Sequence, residues 1–274
     1  MVIAIGSAVV ALLSAVVAGV MGAWQRQRTS RLEHELAERR RQETSAELAE
    51  KVMQLYRDPL VESAYALQSR LFNIVKQNYF GKYLRCGDSA EERYARDYTI
   101  FVIAEYLCWV EILRRDLRFL DSGNVQRNRA LLSQLDRIAH EFQTDGRHRS
   151  PFRVFRGRQR GIAELMMVPT ETADGPRREC MGYAAFTRHL DGDATFKEWF
   201  AQLDRDVDRI ADGGAEEKLR PTELQRRLID LIDFLDPEKI RAPGNRAKLP
   251  APSEVGSAAQ APSEAQVPAV PVPR

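Results

Sequence analysis

The chain has 274 residues, enough for a membrane anchor and one domain of ordinary size. Its 41 basic and 39 acidic residues give a formal net charge of +2, which excludes a global electrostatic attraction to nucleic acid or to an anionic membrane. Arginine outnumbers lysine by 34 to 7, as is typical of a GC-rich bacterial genome, so clusters of arginine arise easily here.

The first predicted element is a transmembrane anchor over residues 2–24, a run without any charge. At about 1.5 Å per residue it can cross a hydrocarbon core of roughly 30 Å. Only Met1 precedes it, which disfavours a cleaved signal peptide. Arginines follow Trp24, so we expect a single-pass protein of the cell membrane with its N-terminus outside and its C-terminal domain cytoplasmic.

Small residues four apart in the anchor, such as Ser14, Ala18 and Gly22, can support a homodimer. In a span rich in alanine and valine the same pattern also arises by chance. Residues 25–57 then lack proline and glycine and consist mainly of helix formers, which predicts a charged helical stalk.

Residues 58–236 predict an all-α cytoplasmic domain, a helical bundle. Pro59 is expected to start its first helix. Ser89 and Glu92 form a capping-box pattern ahead of a helix that is apolar nearly all round between Tyr98 and Leu113, so this helix is predicted to be the buried centre.

Three amphipathic helices are predicted after the central one, and Thr222 with Gln225 is expected to cap the last of them. Their apolar faces are Leu131, Leu135, Ile138 and Phe142; then Phe196, Trp199, Phe200, Leu203, Val207 and Ile210; then Leu224, Leu228, Leu231, Ile232 and Leu235. From Pro237 onward the chain carries eight of its thirteen prolines, so residues 237–274 are predicted to be a disordered tail.

No common nucleotide, hydrolase or metal-site motif is present, and no motif matches a characterised family closely enough to assign residue roles. Three widely spaced cysteines do not suggest a disulfide framework. Cys180 and His189 are near in sequence, but coincidence is the stronger interpretation of that proximity. We therefore predict no catalytic residue, no metal and no cofactor.

Two acidic residues on the central helix are candidates for buried charges. Glu111 has Arg114 and Arg115 one turn away, which predicts a local ion pair. Glu105 has no such neighbour and is expected to take an arginine from another element. Six residues place the two carboxylates roughly 120° apart around the helix. Structural pairing is favoured over an enzyme that uses a buried Glu.

The segment Arg147–Met167 carries six arginines before Gly161, interleaved with phenylalanines. Residues 152–156 predict a short extended insertion, and Arg158 is expected to begin a helix. Within the Arg-rich segment 147–160, the candidate anion-binding residues are Arg153, Arg156, Arg158 and Arg160, with Phe rings available for stacking on bases. The alternative is an internally paired edge, with Arg160 bonded to Glu164.

The leading functional hypothesis is a membrane-tethered helical scaffold or interaction protein at the cytoplasmic face, with an unknown protein partner. The alternative is binding of an anion, a phospholipid headgroup or nucleic acid through the Arg-rich segment, which ranks second because arginine is abundant throughout the chain.

Overall fold

A computed structural model describes residues 37–41, 44, 47, 55–117, 125–147, 150–172 and 175–251. Across these residues the chain is mostly helical and contains one two-stranded sheet, which confirms the prediction of an all-α helical bundle. The anchor predicted over 2–24 lies outside the described residues. Within them, no helix combines the length and apolar character needed to span a membrane. In the predicted stalk, residues 37–41, 44 and 47 are helical and exposed.

Eight α-helices, two short 3-10 helices (Asp145–Arg147 and Glu216–Lys218) and one hairpin make up the described part of the domain. Helix α1 covers residues 55–76 of that part. The other elements are α2 (Tyr79–Tyr83), α3 (Ser89–Leu117), α4 (Val125–Gln143), α5 (Arg156–Met166), β1 (Met167–Thr172), β2 (Gly175–Cys180), α6 (Tyr183–Gly192), α7 (Ala194–Asp212) and α8 (Leu219–Leu235).

Helix α3 is the centre of the fold. Between Thr99 and Leu113 nearly all of its side chains are buried, as its sequence predicted. It contacts α5, α6, α7 and the strand β2, and α8 packs against α4. The predicted apolar faces of α4, α7 and α8 are buried too, except that Trp199 is 37% exposed.

Four predicted helix starts, those of α1, α3, α5 and α8, are displaced in the structure. The N-terminal cap of α3 is Asp88, one residue before Ser89, because its carboxylate accepts hydrogen bonds from the Ala90 and Glu91 amides at 2.8 and 3.2 Å. Glu92 accepts from the Gly87 amide at 3.0 Å, so the reciprocal bond of a capping box is also displaced by one residue.

Two more of the displaced starts belong to α1 and α8. Helix α1 already includes residue 55, so Pro59 does not begin it, and the buried Tyr56 ties the predicted end of the stalk to the domain. Helix α8 begins at Leu219, so Thr222 and Gln225 lie inside it. Thr222 Oγ1 donates to the Lys218 carbonyl at 2.7 Å instead of capping the helix end.

The hairpin was not predicted. Strands β1 and β2 pair antiparallel from Met167 opposite Cys180 to Thr172 opposite Gly175. Its sequence signal is the Asp174-Gly175 dipeptide, a favoured hairpin turn, and Gly175 has a φ of +106° that glycine adopts without strain.

The predicted extended insertion is a coil that ends at Phe155. Helix α5 begins at the next residue, Arg156, and not at Arg158. The buried Arg220 side chain holds this coil to the bundle. Its guanidinium donates to the carbonyls of Glu141 and Thr144 at 3.0 and 2.8 Å and to that of Ser150. The Arg-rich segment is thus fixed between α4 and α8.

Residues 237–251 pack on the bundle, so the tail boundary predicted at 237 is wrong for these residues. Ala242 and Leu249 are buried, and the Arg246 guanidinium pairs with the buried Asp236 carboxylate. The Leu249 amide donates to the Gln225 side chain at 3.0 Å. Residues 252–274 of the predicted tail lie outside the described part of the chain.

Candidate functional site

A cavity of about 470 Å³ lies between α3, α4 and α5. Small-molecule sites commonly occupy roughly 300–1,000 Å³, so this volume suits a small ligand. Its buried side, here called the apolar floor, is formed by Tyr106, Leu107, Val110, Leu135, Ala139 and Phe142. Its solvent-facing side, here called the arginine rim, is formed by Arg114, Arg129, Arg156 and Arg160.

Helical spacing brings the floor and the rim together. On α3, Val110 and Arg114 are four residues apart and therefore lie on one face, with the floor residue one turn before the rim residue. On α5, Arg156 and Arg160 have the same spacing. The side chain of the buried Gln159 donates to the Ala139 carbonyl at 2.9 Å, which fixes α5 against α4 beside the cavity.

The Glu111 carboxylate is the buried charge of the cavity. It is 3% exposed and lies 3.2 Å from Arg115 and 3.8 Å from Arg114 on its own helix, which confirms the predicted local pairing. Arg160 of α5 also donates to it, at 3.2 Å. One carboxylate is therefore shared by three guanidinium groups.

The arginine rim carries more charge than its carboxylates neutralise. Four arginines line the cavity, together with only Glu111 and Asp136 as acids. Arg156 pairs with Asp136 at 2.6 Å. Arg129 is exposed, and no acid of the described residues forms an ion pair with it. The formal charge of the lining is therefore +2, which favours an anionic ligand.

Two buried polar atoms of the lining residues have no hydrogen-bond partner within the described part of the chain: the Tyr106 hydroxyl and the Nε of Arg160. Buried polar groups are nearly always paired with protein or water, so such atoms at a cavity indicate a place for a polar guest. Burial raises the pKa of Tyr106, so its hydroxyl stays protonated and can donate.

The structure divides the four predicted anion-binding arginines into two pairs. Arg156 and Arg160 line the cavity, where their role in anion binding stays a prediction. Arg153 instead pairs with Asp145 and lies 4.6 Å above the Phe155 ring. Arg158 donates to the carbonyls of Glu198 and Trp199 at 3.0 and 2.8 Å, which joins α5 to α7.

Glu164 pairs with Arg115, whereas Arg160 was expected to pair with it. Arg115 reaches Glu164 because it lies on α3, which packs against α5. Arg160 turns to the buried Glu111 instead.

Glu105 does not receive the arginine that the sequence suggested. Among the described residues no basic group pairs with it, and its charged neighbour is Glu62 of α1. Burial, together with the Glu62 charge, raises the pKa of Glu105 from 4.5 to about 7.

Cys180 and His189 have different surroundings. Cys180 packs against the core at the end of β2, whereas the His189 ring lies against Phe196, with the ring centroids 5.2 Å apart. This placement gives no support to a thiolate–imidazole pair.

Sequence reasoning missed Arg114 and Arg129 as rim residues and Tyr106 as a floor residue. Arg114 was assigned only to a local ion pair, and Arg129 lies outside the Arg-rich segment. Their only local signal is that each stands on the same helical face as an apolar cavity residue. Within the described residues, no group of three or more possible metal ligands comes together.

The described residues form a helical bundle with one cavity that has an apolar floor and an arginine rim. Comparison of the chain with models of protein families, with curated proteins and with solved structures found no match.

Proposed function

We propose that this chain is a membrane-tethered helical binding protein whose arginine-rimmed cavity takes an anionic ligand. The observation that carries the proposal is the convergence of four arginines from three helices on one cavity that holds two carboxylates. Guanidinium groups donate charge-assisted, bidentate hydrogen bonds to carboxylates and phosphates, so they select an anion.

A small anion fits the site better than nucleic acid does. Stacking on bases was expected to use the phenylalanines of the Arg-rich segment, yet Phe152 is fully buried. Phe155 is exposed, but the Arg153 guanidinium of the same segment lies over its ring. The broader hypothesis of a scaffold protein specifies no surface that would contact a partner. The cavity, in contrast, indicates which kind of ligand would bind.

The tether is proposed from residues 2–24 and the arginines that follow them, which favour a cytoplasmic domain. Cys86 is an exposed native thiol of the domain and reports its orientation. An impermeant thiol reagent added to intact cells should leave Cys86 unlabelled until the cells are permeabilised. Labelling of Cys86 in intact cells would show that the domain lies on the outer side of the membrane.

Calorimetric titration of the full chain in nanodiscs of zwitterionic lipid tests the proposed function. The probes are octanoate, octyl phosphate and inorganic phosphate, each corrected for its heat with empty nanodiscs. Arg129→Gln should weaken binding roughly tenfold, about 1.4 kcal/mol, because it removes a charge-assisted donor without leaving a carboxylate unpaired.

The matched control is Arg137→Gln, which removes an exposed arginine of the same helix that does not line the cavity. It should leave the affinity unchanged, because the change in net charge is the same but the rim is intact. Equal weakening by both variants, or no binding of any probe by the unmodified chain, would contradict the proposal.

A further inference from the structure

We infer that the ligand is a single-chain anionic amphiphile, with its headgroup on the arginine rim and its alkyl chain along the apolar floor. The inference rests on the proposed function and adds the chemical class of the ligand. A carboxylate or a phosphate monoester supplies the same head chemistry, so the free acid and the phosphorylated form are separate arms of the test.

The apolar floor favours a ligand with an alkyl chain. All six of its side chains are buried, and five of them are wholly apolar. A small inorganic anion would bind at the rim and leave this surface uncovered, whereas a chain of methylenes would remove it from water. Leu132 extends the apolar surface toward solvent, because it lines the cavity and is 43% exposed.

The positive charge of the arginine rim favours an anionic headgroup. Glu111 and Asp136 already have arginine partners. A ligand must therefore bind the positive charge of the rim that these two carboxylates do not neutralise. Arg129 and the unpartnered Nε of Arg160 are the donors available for it. An anion of one or two charges matches the formal +2 of the lining, and a neutral lipid would leave that charge unmatched.

The volume of the cavity suits a single alkyl chain. About 470 Å³ is in the lower half of the size range of small-molecule sites, which suits one chain. The Tyr106 hydroxyl lies among the floor residues and has no hydrogen-bond partner in the described part of the chain. It can therefore donate a hydrogen bond to a polar atom of a ligand bound next to it.

A chain-length series tests the inference on the full chain in zwitterionic nanodiscs. The probes are octanoate, decanoate and dodecanoate, the matching alkyl phosphates, and decanol as the neutral control. Each methylene buried on the floor should tighten binding about fourfold beyond partition into empty nanodiscs. Decanol should bind at least tenfold more weakly than decanoate, because it lacks the charge that the rim selects.

Ala139→Leu fills the floor without touching the rim. It should abolish the dependence of the affinity on chain length. If this variant does not fold, Leu132→Gln tests the exposed end of the same surface, and it should reduce the gain per methylene.

The outcomes separate the two proposals. Anion binding that is insensitive to chain length, or chain-length dependence that survives Ala139→Leu, would overturn the amphiphile and leave the anion site standing. Decanol bound as tightly as decanoate, or no binding of any anion, would overturn the proposed function as well. Binding of only the carboxylates or only the phosphates identifies the headgroup and supports the inference.

Discussion

The Arg160 guanidinium of α5 lies 3.2 Å from the Glu111 carboxylate of α3, and this contact joins two walls of the cavity. Glu111 is 3% exposed, whereas the side chain of Arg160 is 42% exposed. The carboxylate is therefore the fixed member of the pair, and the arginine keeps access to solvent and to a ligand.

Glu111→Gln should destabilise the full chain by roughly 2 kcal/mol, because it leaves three guanidinium groups without their shared counter-charge. The figure is below that for a fully buried pair, since those arginines reach water. Urea unfolding measures the change. Glu164→Gln, on the exposed face of α5, is the control, with an expected effect under about 1 kcal/mol.

The same variant should bind octyl phosphate more tightly than the unmodified chain, because the cavity loses a competing anion. Added octyl phosphate should also recover part of the lost stability. Weaker binding by Glu111→Gln would show that the arginines near it do not hold the ligand.

Glu105 gives the domain a stability that declines as the pH rises. Its folded pKa of about 7 lies above its ordinary value of 4.5, so the folded state binds the proton more tightly. The unfolded chain ionises first, and stability should fall between pH 4.5 and 7 and then level off. Glu105→Gln should remove this decline and stabilise the chain at pH 8 by about 2 kcal/mol, allowing for partial exposure.

Urea unfolding at pH 4 and pH 8 measures the Glu105 effect. Glu62→Gln is the control, because it removes the like charge but keeps the buried acid. Glu62→Gln should narrow the pH range over which the stability falls, but the fall itself should remain. A Glu105→Gln chain that is no more stable than the unmodified one at pH 8 would show that Glu105 is ionised at no cost.

Gly161 allows α5 to approach α7 closely. A Cβ atom at this position would lie 2.3 Å from the Trp199 ring, so Gly161→Ala should cost about 1–3 kcal/mol through displacement of the tryptophan. Gly157→Ala, one turn earlier on the same helix, meets nothing within 4 Å. This control should stabilise the chain by up to about 1 kcal/mol. Thermal unfolding of both variants checks the opposite signs, and a Gly161→Ala chain as stable as the control would contradict the close approach.

The sequence predicted those parts of the fold that depend on local spacing. Leu131, Leu135 and Phe142 recur at helical intervals, so the buried face of α4 follows from the chain alone. The hairpin was missed because its two strands are only half buried and contain both polar and apolar residues. The Asp174-Gly175 dipeptide is therefore the single sequence signal for the hairpin.

Long-range packing decided what the sequence did not predict. Arg129 of α4 and Arg160 of α5 line one cavity only because these two helices surround it together with α3, and no spacing along the chain encodes that arrangement. The segment after Pro237 has the composition of a tail, yet Asp236 accepts hydrogen bonds from the amides of Ile240 and Ala242, each at 3.0 Å, and holds it on the bundle. Composition does not reveal a buried acceptor of this kind.

Leu249→Ala tests whether the segment 237–251 contributes to stability. Leu249 is 2% exposed, so its truncation should cost about 2–3 kcal/mol. Lys248→Ala is the control: its pair with Asp230 is largely exposed, and its loss should change stability by less than about 0.5 kcal/mol. Thermal unfolding compares them, and equal effects would contradict docking of this segment.

Photo-crosslinking tests most directly whether the cavity between α3, α4 and α5 holds the ligand. A decanoate with a diazirine on its chain is irradiated with the full chain in nanodiscs, and the modified residues are mapped by mass spectrometry. We expect the label on the apolar floor, around Tyr106 on α3 and Ala139 on α4, with loss of signal when excess decanoate is added or when Arg129 is replaced by Gln. Label confined to other surfaces, or label on the floor that neither decanoate nor Arg129→Gln reduces, would contradict the account.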